Sequence, residues 1–200
     1  MARYVDTLSE DVAFAVTCNF REPNGKPLGL VVHEGLQVNR PFPAWSGYFF
    51  VKAGKPWFGP KSLFDETPGV PQEAAQVYPS LMRDHNVFSY VDLAPNKHFD
   101  GNKITYRSLG GVRQDGTVVF ILSGNGGVMN VTEVAALAHK LNVQHATLLD
   151  GGRALQYSLN FGGLRHHFNA FNTRLEVDWE NCEPERSPVF IVARPAAPTS

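Results

Sequence analysis

The feature that most narrows the fold lies between Ile104 and Asp150. Two apolar runs, Ile104–Arg113 and Thr117–Leu122, flank Gln114-Asp115-Gly116. Asp-Gly between apolar runs is the strongest short-range sign of a β-hairpin. Ser123-Gly124-Asn125-Gly126-Gly127 comes next, then Asn130-Val131-Thr132-Glu133. Asn followed three residues later by Glu is a capping-box pattern, and Val134, Leu137, Ala138 and Leu141 recur at helical spacing on one face. After Asn142-Val143 the chain enters a buried run ending Ala146-Thr147-Leu148-Leu149-Asp150. Strand, helix and strand in this order predict a βαβ unit with parallel strands.

That pattern has a geometric consequence. A two-residue turn at Asp115-Gly116 puts Gln114 opposite Thr117 and Arg107 opposite Gly124. The crossover then carries Asp150 to the sheet edge that holds Ser123 and Gly124. Arg107, the Ser-Gly-Asn-Gly-Gly loop and Asp150 should converge within about 5–10 Å if their strands are neighbours. A cation and a loop rich in backbone N–H groups suit an anion such as phosphate. Each part also has a plainer reading. Asp150-Gly151-Gly152 reads equally as a turn closing a strand, Arg107 as half of a structural ion pair, and the glycine loop as a connection.

Elsewhere, strands are expected at Val12–Thr17, Leu28–Val32, Gly47–Val51 and Val189–Ala193, with turns at Asn24-Gly25-Lys26-Pro27 and Ala53-Gly54-Lys55-Pro56. Prolines at 68, 71, 79 and 95 predict loops and short elements from Lys61 to Asp100. The 18 glycines and 14 prolines favour strands and turns over helices. The fold class is therefore α+β: a single domain over residues 1–200 with its core at about 12–193. Its sheet is mostly antiparallel, with a central βαβ unit, few helices and a frayed 195–200 tail. Trp45, Tyr48, Phe49, Phe50, Trp57 and Phe58 read as core.

A net charge of -1 gives no electrostatic case for nucleic acid or for an anionic membrane. No apolar run is long enough to span a bilayer. The N-terminus lacks the apolar stretch of a signal peptide, so the chain is either cytoplasmic or exported with its signal already removed. Cys18 and Cys182 have no metal-ribbon spacing. They read as two buried thiols, or as a pair if the chain is exported. Adjacent His166 and His167 point to opposite faces of an extended chain, which argues for a loop role over shared metal binding.

"LGGVRQDGTVVFILSG", followed by a helix and "HATLLDGGRA", resembles the core of the phosphodiester glycosidase family. The resemblance rests on Arg107, Gly110, Asp115-Gly116, Thr132 and Leu149-Asp150-Gly151-Gly152. Looser matches, "FAVTCNF", "LGLVVHEGLQVN" and "AAQVYPSLMRD", point to Asn19, Gln76 and Pro79. The family commonly continues with Gly and Ser-Ser where this chain has Arg153-Ala154-Leu155, and Phe20 stands where a Gly often follows the Asn.

The resemblance implies a hydrolase that breaks the bond between a sugar's anomeric carbon and a phosphate oxygen. Its substrate would be a sugar phosphate, a glycan or an envelope exopolysaccharide, met outside the cytoplasm. Asp150 and Arg107 would carry the chemistry, with Gly151, Gly152, Ser123, Gly124, Asn125, Asn19, Gln76 and Arg153 against the substrate. No metal ligand is assigned, although Asp150 could hold a divalent cation. Two rival readings stay open: a non-catalytic carbohydrate- or phosphate-binding module, favoured by the missing serines, and a metal-dependent phosphodiesterase.

Overall fold

The computed structural model describes residues 12–88, 99–170 and 187–195. Its strands form three sheets in which every pairing is antiparallel. One contains β2 (Val31–His33), β3 (Leu36–Asn39), β4 (Gly47–Lys52), β5 (Lys55–Pro60) and β6 (Pro71–Val77), in the order β3-β2-β6-β4-β5. Helix α1 (Lys61–Glu66) follows β5. The second contains β7 (Ser80–Arg83), β8 (Asn86–Val87), β9 (Ser108–Val112), β10 (Val118–Leu122) and β11 (His145–Leu148), in the order β10-β9-β11-β7-β8. Helix α2 (Val131–Lys140) joins β10 to β11. The third contains β1 (Phe14–Thr17), β12 (Gln156–Phe161), β13 (Leu164–Asn169) and β14 (Phe190–Ala193), in the order β13-β12-β1-β14. This is the α+β architecture expected, with few helices. No helix among the described residues is long and apolar enough to cross a membrane.

Alternation along the strands sets the layers. On β4, Tyr48 and Phe50 point outward and pack with Leu63 and Phe64 of α1. Phe49 points inward, onto the cluster that holds Phe58, Val77, Leu149 and Tyr157. This inner cluster joins all three sheets, since Val16 and Ile191 come from the third. On the far side, Val134, Ala135 and Ala138 of α2 pack on Leu109, Ala146 and Leu148. The capping box at the start of α2 is formed as its sequence predicts: Asn130 Oδ1 accepts from Glu133 N at 2.9 Å, and Glu133 Oε2 accepts from Asn130 N at 2.8 Å. Full burial of a side chain such as Phe50 contributes about 2–3 kcal/mol.

Several expectations need correction. The segment read as loops, 61–100, supplies α1 and three strands, and β6 lies inside its sheet between β2 and β4. Its flanking prolines misled: Pro71 opens the strand and Pro79 lies beyond its end, so neither removes an interior ladder bond. Strand β2 starts only at Val31. Ala53 and Gly54 alone make the β4–β5 turn, because Lys52 already pairs with Lys55. The β12–β13 hairpin turns on Gly162-Gly163, both at positive φ, a two-residue hairpin signal that the expected strands left out, and it places His166 and His167 in a strand instead of a loop.

The hairpin register is also shifted by one residue. Val118 pairs with Val112 and Leu122 with Ser108, so Arg107 faces Ser123, not Gly124, and Arg113 faces Thr117. The loop holds three residues because Asp115 Oδ1 accepts from Thr117 N at 2.9 Å, while Gly116 adopts φ +85°. A tight turn followed by a left-handed residue is the usual three-residue solution. In the βαβ unit, β10 and β11 are both antiparallel to β9 and hence parallel to each other, with β9 between them.

Candidate functional site

The site forms where the end of β11, the start of β9 and the segment after β1 meet. Leu148 pairs with Leu109, and Leu149 N donates to Ser108 O at 2.9 Å. One step further along this register, Asp150 stands opposite Arg107. The Asp150 N–H is then turned away from β9 and donates to Cys18 O at 2.8 Å, just past the end of β1. Ser108 Oγ donates to Asp150 O at 2.8 Å, and Gly152 N donates to Tyr106 O at 2.7 Å. The main chain at Asp150 is thus held from both sides. Gly151 is the close-approach residue. A Cβ there would lie 2.8 Å from Tyr106 O, a separation that real side chains do not adopt.

Two cavities that share wall residues open at this point. The larger, about 730 Å³, is lined by Phe20, Arg21, Glu22, Lys103, Asp150 and Arg153 among others. The smaller recess, about 150 Å³, is lined by Arg107, Phe99, Asp100 and Leu148 among others. Phe20, Lys103, Thr105, Gly151 and Gly152 line both. Cations, carboxylates and apolar groups therefore share the lining of this space.

Arg107 is buried, and its guanidinium is held firmly. Nη2 donates to Asp100 O at 2.8 Å and Lys103 O at 2.6 Å, and Nε donates to Met129 O at 3.3 Å. The group also lies over the Phe99 ring, 5.4 Å from its centroid. These bonds use one side of the fork. Nη1 has no hydrogen-bond partner among the described residues. Burial pulls the guanidinium pKa below its ordinary value, countered by the Asp100 charge. Beside the cavity, burial and then the Asp150 charge push the Cys18 thiol far above its usual range. Cys18 is a free, buried thiol, and Cys182 lies outside the described residues.

The remaining residues anticipated from the sequence divide by position. Asp150, Gly151, Gly152 and Arg153 line the large cavity, the last of them from the short helical turn Gly152–Ala154. Ser123 sits beside Arg107 as expected, but as its backbone partner: its Oγ accepts from Arg107 N at 2.8 Å. Gly124 and Asn125 belong to a turn closed by Gly127 N to Gly124 O, and Val128, beyond the glycine run, is what that connection adds to the cavity wall. Asn19 is fully buried between Cys18 and Phe20. Its Nδ2 donates to Leu28 O at 3.5 Å, and its Oδ1 has no partner among the described residues.

Gln76 is placed elsewhere. Its Oε1 accepts from Leu30 N and Phe42 N, and its Nε2 donates to Phe42 O and Trp45 O, all within 2.8–3.0 Å. It laces the 30–45 connection to β6, and its amide is fully engaged. The aromatic group reads as core correctly: Trp45, Tyr48, Phe50 and Phe58 are buried. His167 bonds Ser158 Oγ at 2.8 Å, whereas His166 packs on Tyr157. The two rings face different neighbours, and no cluster of three or more potential metal ligands occurs among the described residues.

Sequence reasoning missed Phe20, Arg21, Glu22, Lys103 and Thr105. The available signal was adjacency: Arg21 and Glu22 open the Asn24-Gly25 turn directly after Asn19, and Lys103 and Thr105 lead into Arg107. Arg21 pairs with Pro27, so this turn folds back beside the cavity.

The sequence model of a family described as phosphodiester glycosidase matches residues 10–179. Among solved structures, the chain resembles the zebrafish N-acetylglucosamine-1-phosphodiester alpha-N-acetylglucosaminidase catalytic domain auto-inhibited by its pro-peptide. The TM-score is 0.63 and the identity 20%, over 80% of this chain and 56% of that one. It also resembles a hypothetical protein from Synechocystis, with a TM-score of 0.59 and 13% identity, over 82% of this chain and 50% of that one. The chain thus spans about half the length of the solved structures it matches. No curated protein sequence matches it.

Proposed function

The chain belongs to the phosphodiester glycosidase family, and we propose that it hydrolyses a sugar-phosphate diester at the anomeric carbon. The observation that carries this reading is that Asp150 and Arg107 lie just beyond the adjacent ends of the paired strands β11 and β9 and line two cavities that share wall residues. In the proposed reaction water adds its oxygen to the anomeric carbon as the carbon–oxygen bond to phosphorus breaks. The sugar leaves as a hemiacetal, and the phosphate leaves as a monoester. Asp150 accepts the proton of the attacking water or stabilises the oxocarbenium-like transition state. Arg107 offers Nη1 to a phosphate oxygen from a position fixed by its other bonds. A phosphate monoester is a far better leaving group than a sugar alcohol, so one carboxylate suffices for the difficult step. Gly151 and Gly152 bring the wall close to the ligand, and Arg153, where the family commonly has a further glycine, adds a cation. An extracytoplasmic compartment goes with this reading.

The experiment is release of sugar from sugar-1-phosphate diesters by the wild type and by Asp150→Asn, run in oxygen-labelled water. The expected result is turnover with label in the sugar, reduced in the variant roughly 10²–10⁴-fold. Label in the phosphate would replace this reading with a phosphodiesterase. The Arg153-Ala154-Leu155 departure favours a second reading, a binding module, which is the outcome if both proteins bind such ligands and neither turns them over.

A further inference from the structure

We propose that Lys103 is an anion-binding residue of this cavity and that Arg107 places it there. The assignment deepens the glycosidase reading, since the anion in question would be the phosphoryl group of that substrate. Arg107 Nη2 holds the carbonyls of Asp100 and Lys103 together, at 2.8 and 2.6 Å. Its Nε ties the same loop to Met129, whose backbone pairs with Thr105 in both directions. The bond to the Lys103 carbonyl is direct, so the Lys103 backbone is fixed by the buried guanidinium. Lys103 lines the recess and the large cavity alike, and so stands at their junction. Its side chain is exposed, and no carboxylate lies within ion-pair distance of it among the described residues. Asp100, the nearest in sequence, turns its carboxylate onto its own loop and accepts from Asn102 N at 3.0 Å.

The two cations therefore divide the work. Arg107 is rigid, buried and mostly engaged, with Nη1 left for one phosphoryl oxygen. Lys103 is a compact charge on a flexible stem with three rotatable donors, suited to a second oxygen whose position varies with the ligand. The ligand class is a phosphoryl group with at least two unesterified oxygens, as in a diester or inorganic phosphate. The seat is the junction of recess and cavity, which leaves the larger space for the groups that the phosphate carries.

The test uses inorganic phosphate as the probe, titrated into the whole chain at low ionic strength, with hydrogen exchange of amides 100–104 followed in parallel. Lys103→Ala should weaken phosphate binding about fivefold, the scale of a partly exposed charge contact, while leaving amide protection at 100–104 unchanged. Arg107→Lys should weaken binding and also release that protection. Lys55→Ala, in the distant β4–β5 turn, should do neither. Wild-type binding should fall as salt rises. Phosphate binding by Lys103→Ala equal to wild type would overturn the proposal, as would a wild type that binds no phosphate. Weaker binding in Arg107→Lys with protection intact would show that Arg107 acts on the anion alone and does not position Lys103. If Arg107→Lys fails to fold, Lys103→Ala still decides the matter. Phosphate bound as expected without turnover of any diester would sink the glycosidase reading and leave this one standing.

Discussion

Gln76 and Arg107 are the same kind of device put to different ends. Each is a buried polar side chain at a strand that gathers the backbone of an incoming connection, 30–45 for Gln76 and 99–103 for Arg107. An amide has two donors and a carbonyl with two acceptor sites, and Gln76 uses all of them inside the protein. A guanidinium has five donors on one rigid fork, and Arg107 commits three, leaving Nη1 without a partner among the described residues. Burial and polarity alone therefore do not separate a structural residue from a ligand-binding one. On the proposed reading, the hydrogen-bonding capacity left over is what separates them.

The largest effect should come from breaking the saturated device. Gln76→Ala leaves two N–H groups and two carbonyls of the 30–45 connection without partners, which should cost about 4 kcal/mol or more in denaturant unfolding. A loss under about 1 kcal/mol would mean that water replaces the amide, and the contrast with Arg107 would fail. Gly151→Ala probes the cavity side. Its methyl group would meet Tyr106 O and push apart the strand ends that carry Asp150 and Arg107. The expected loss is about 2 kcal/mol, with weaker phosphate binding alongside. Unchanged binding would place the anion away from this junction.

Asn130→Ala sharpens the comparison at a smaller scale. It removes half of the capping box that starts α2, next to the Met129 carbonyl that Arg107 holds, and should lower the melting temperature by the equivalent of about 1 kcal/mol. An unchanged melting temperature would show that the cap is redundant. The smallest effect is a pH dependence away from both devices. Burial lowers the His145 pKa from its ordinary 6.5, with Asp84 acting in the opposite direction. A depressed folded-state pKa means that the unfolded chain binds the extra proton first. The His145 contribution to stability is then complete above about pH 6.5 and is lost as pH falls through the lower folded value. His145→Gln should flatten that acid-side slope, and an identical slope in both proteins would discard the assignment.

Legibility of the fold followed the strength of local signals. The 117–150 stretch could be read because turn chemistry, a capping box and an apolar helical face agree there. Even so, the Asp115 side chain chose a three-residue loop and moved the register by one. Strand β6 escaped because its centre is Ala74-Ala75, small residues with little strand preference that suit close packing between two neighbours. Among the site residues, Asp150 and Arg107 were visible through the strands that carry them. Lys103 and Glu22 sit in connections whose position depends on contacts far away in the chain. Gln76 looked like a ligand residue because sequence shows an amide without showing what fills it.

Local chemistry by itself determined the Asp-Gly hairpin, the capped helix, the buried strand ending in a carboxylate, and the antiparallel α+β class. Those features depend on interactions among residues a few positions apart, which a linear sequence displays. Tertiary structure decided that β9 lies between the two parallel strands, that Cys18 and Asp150 touch, and that Arg107 grips the loop carrying Lys103. Each of those is a pairing between distant segments. Their closing entropy is recovered only when whole sheets assemble, so no short window of sequence could announce them.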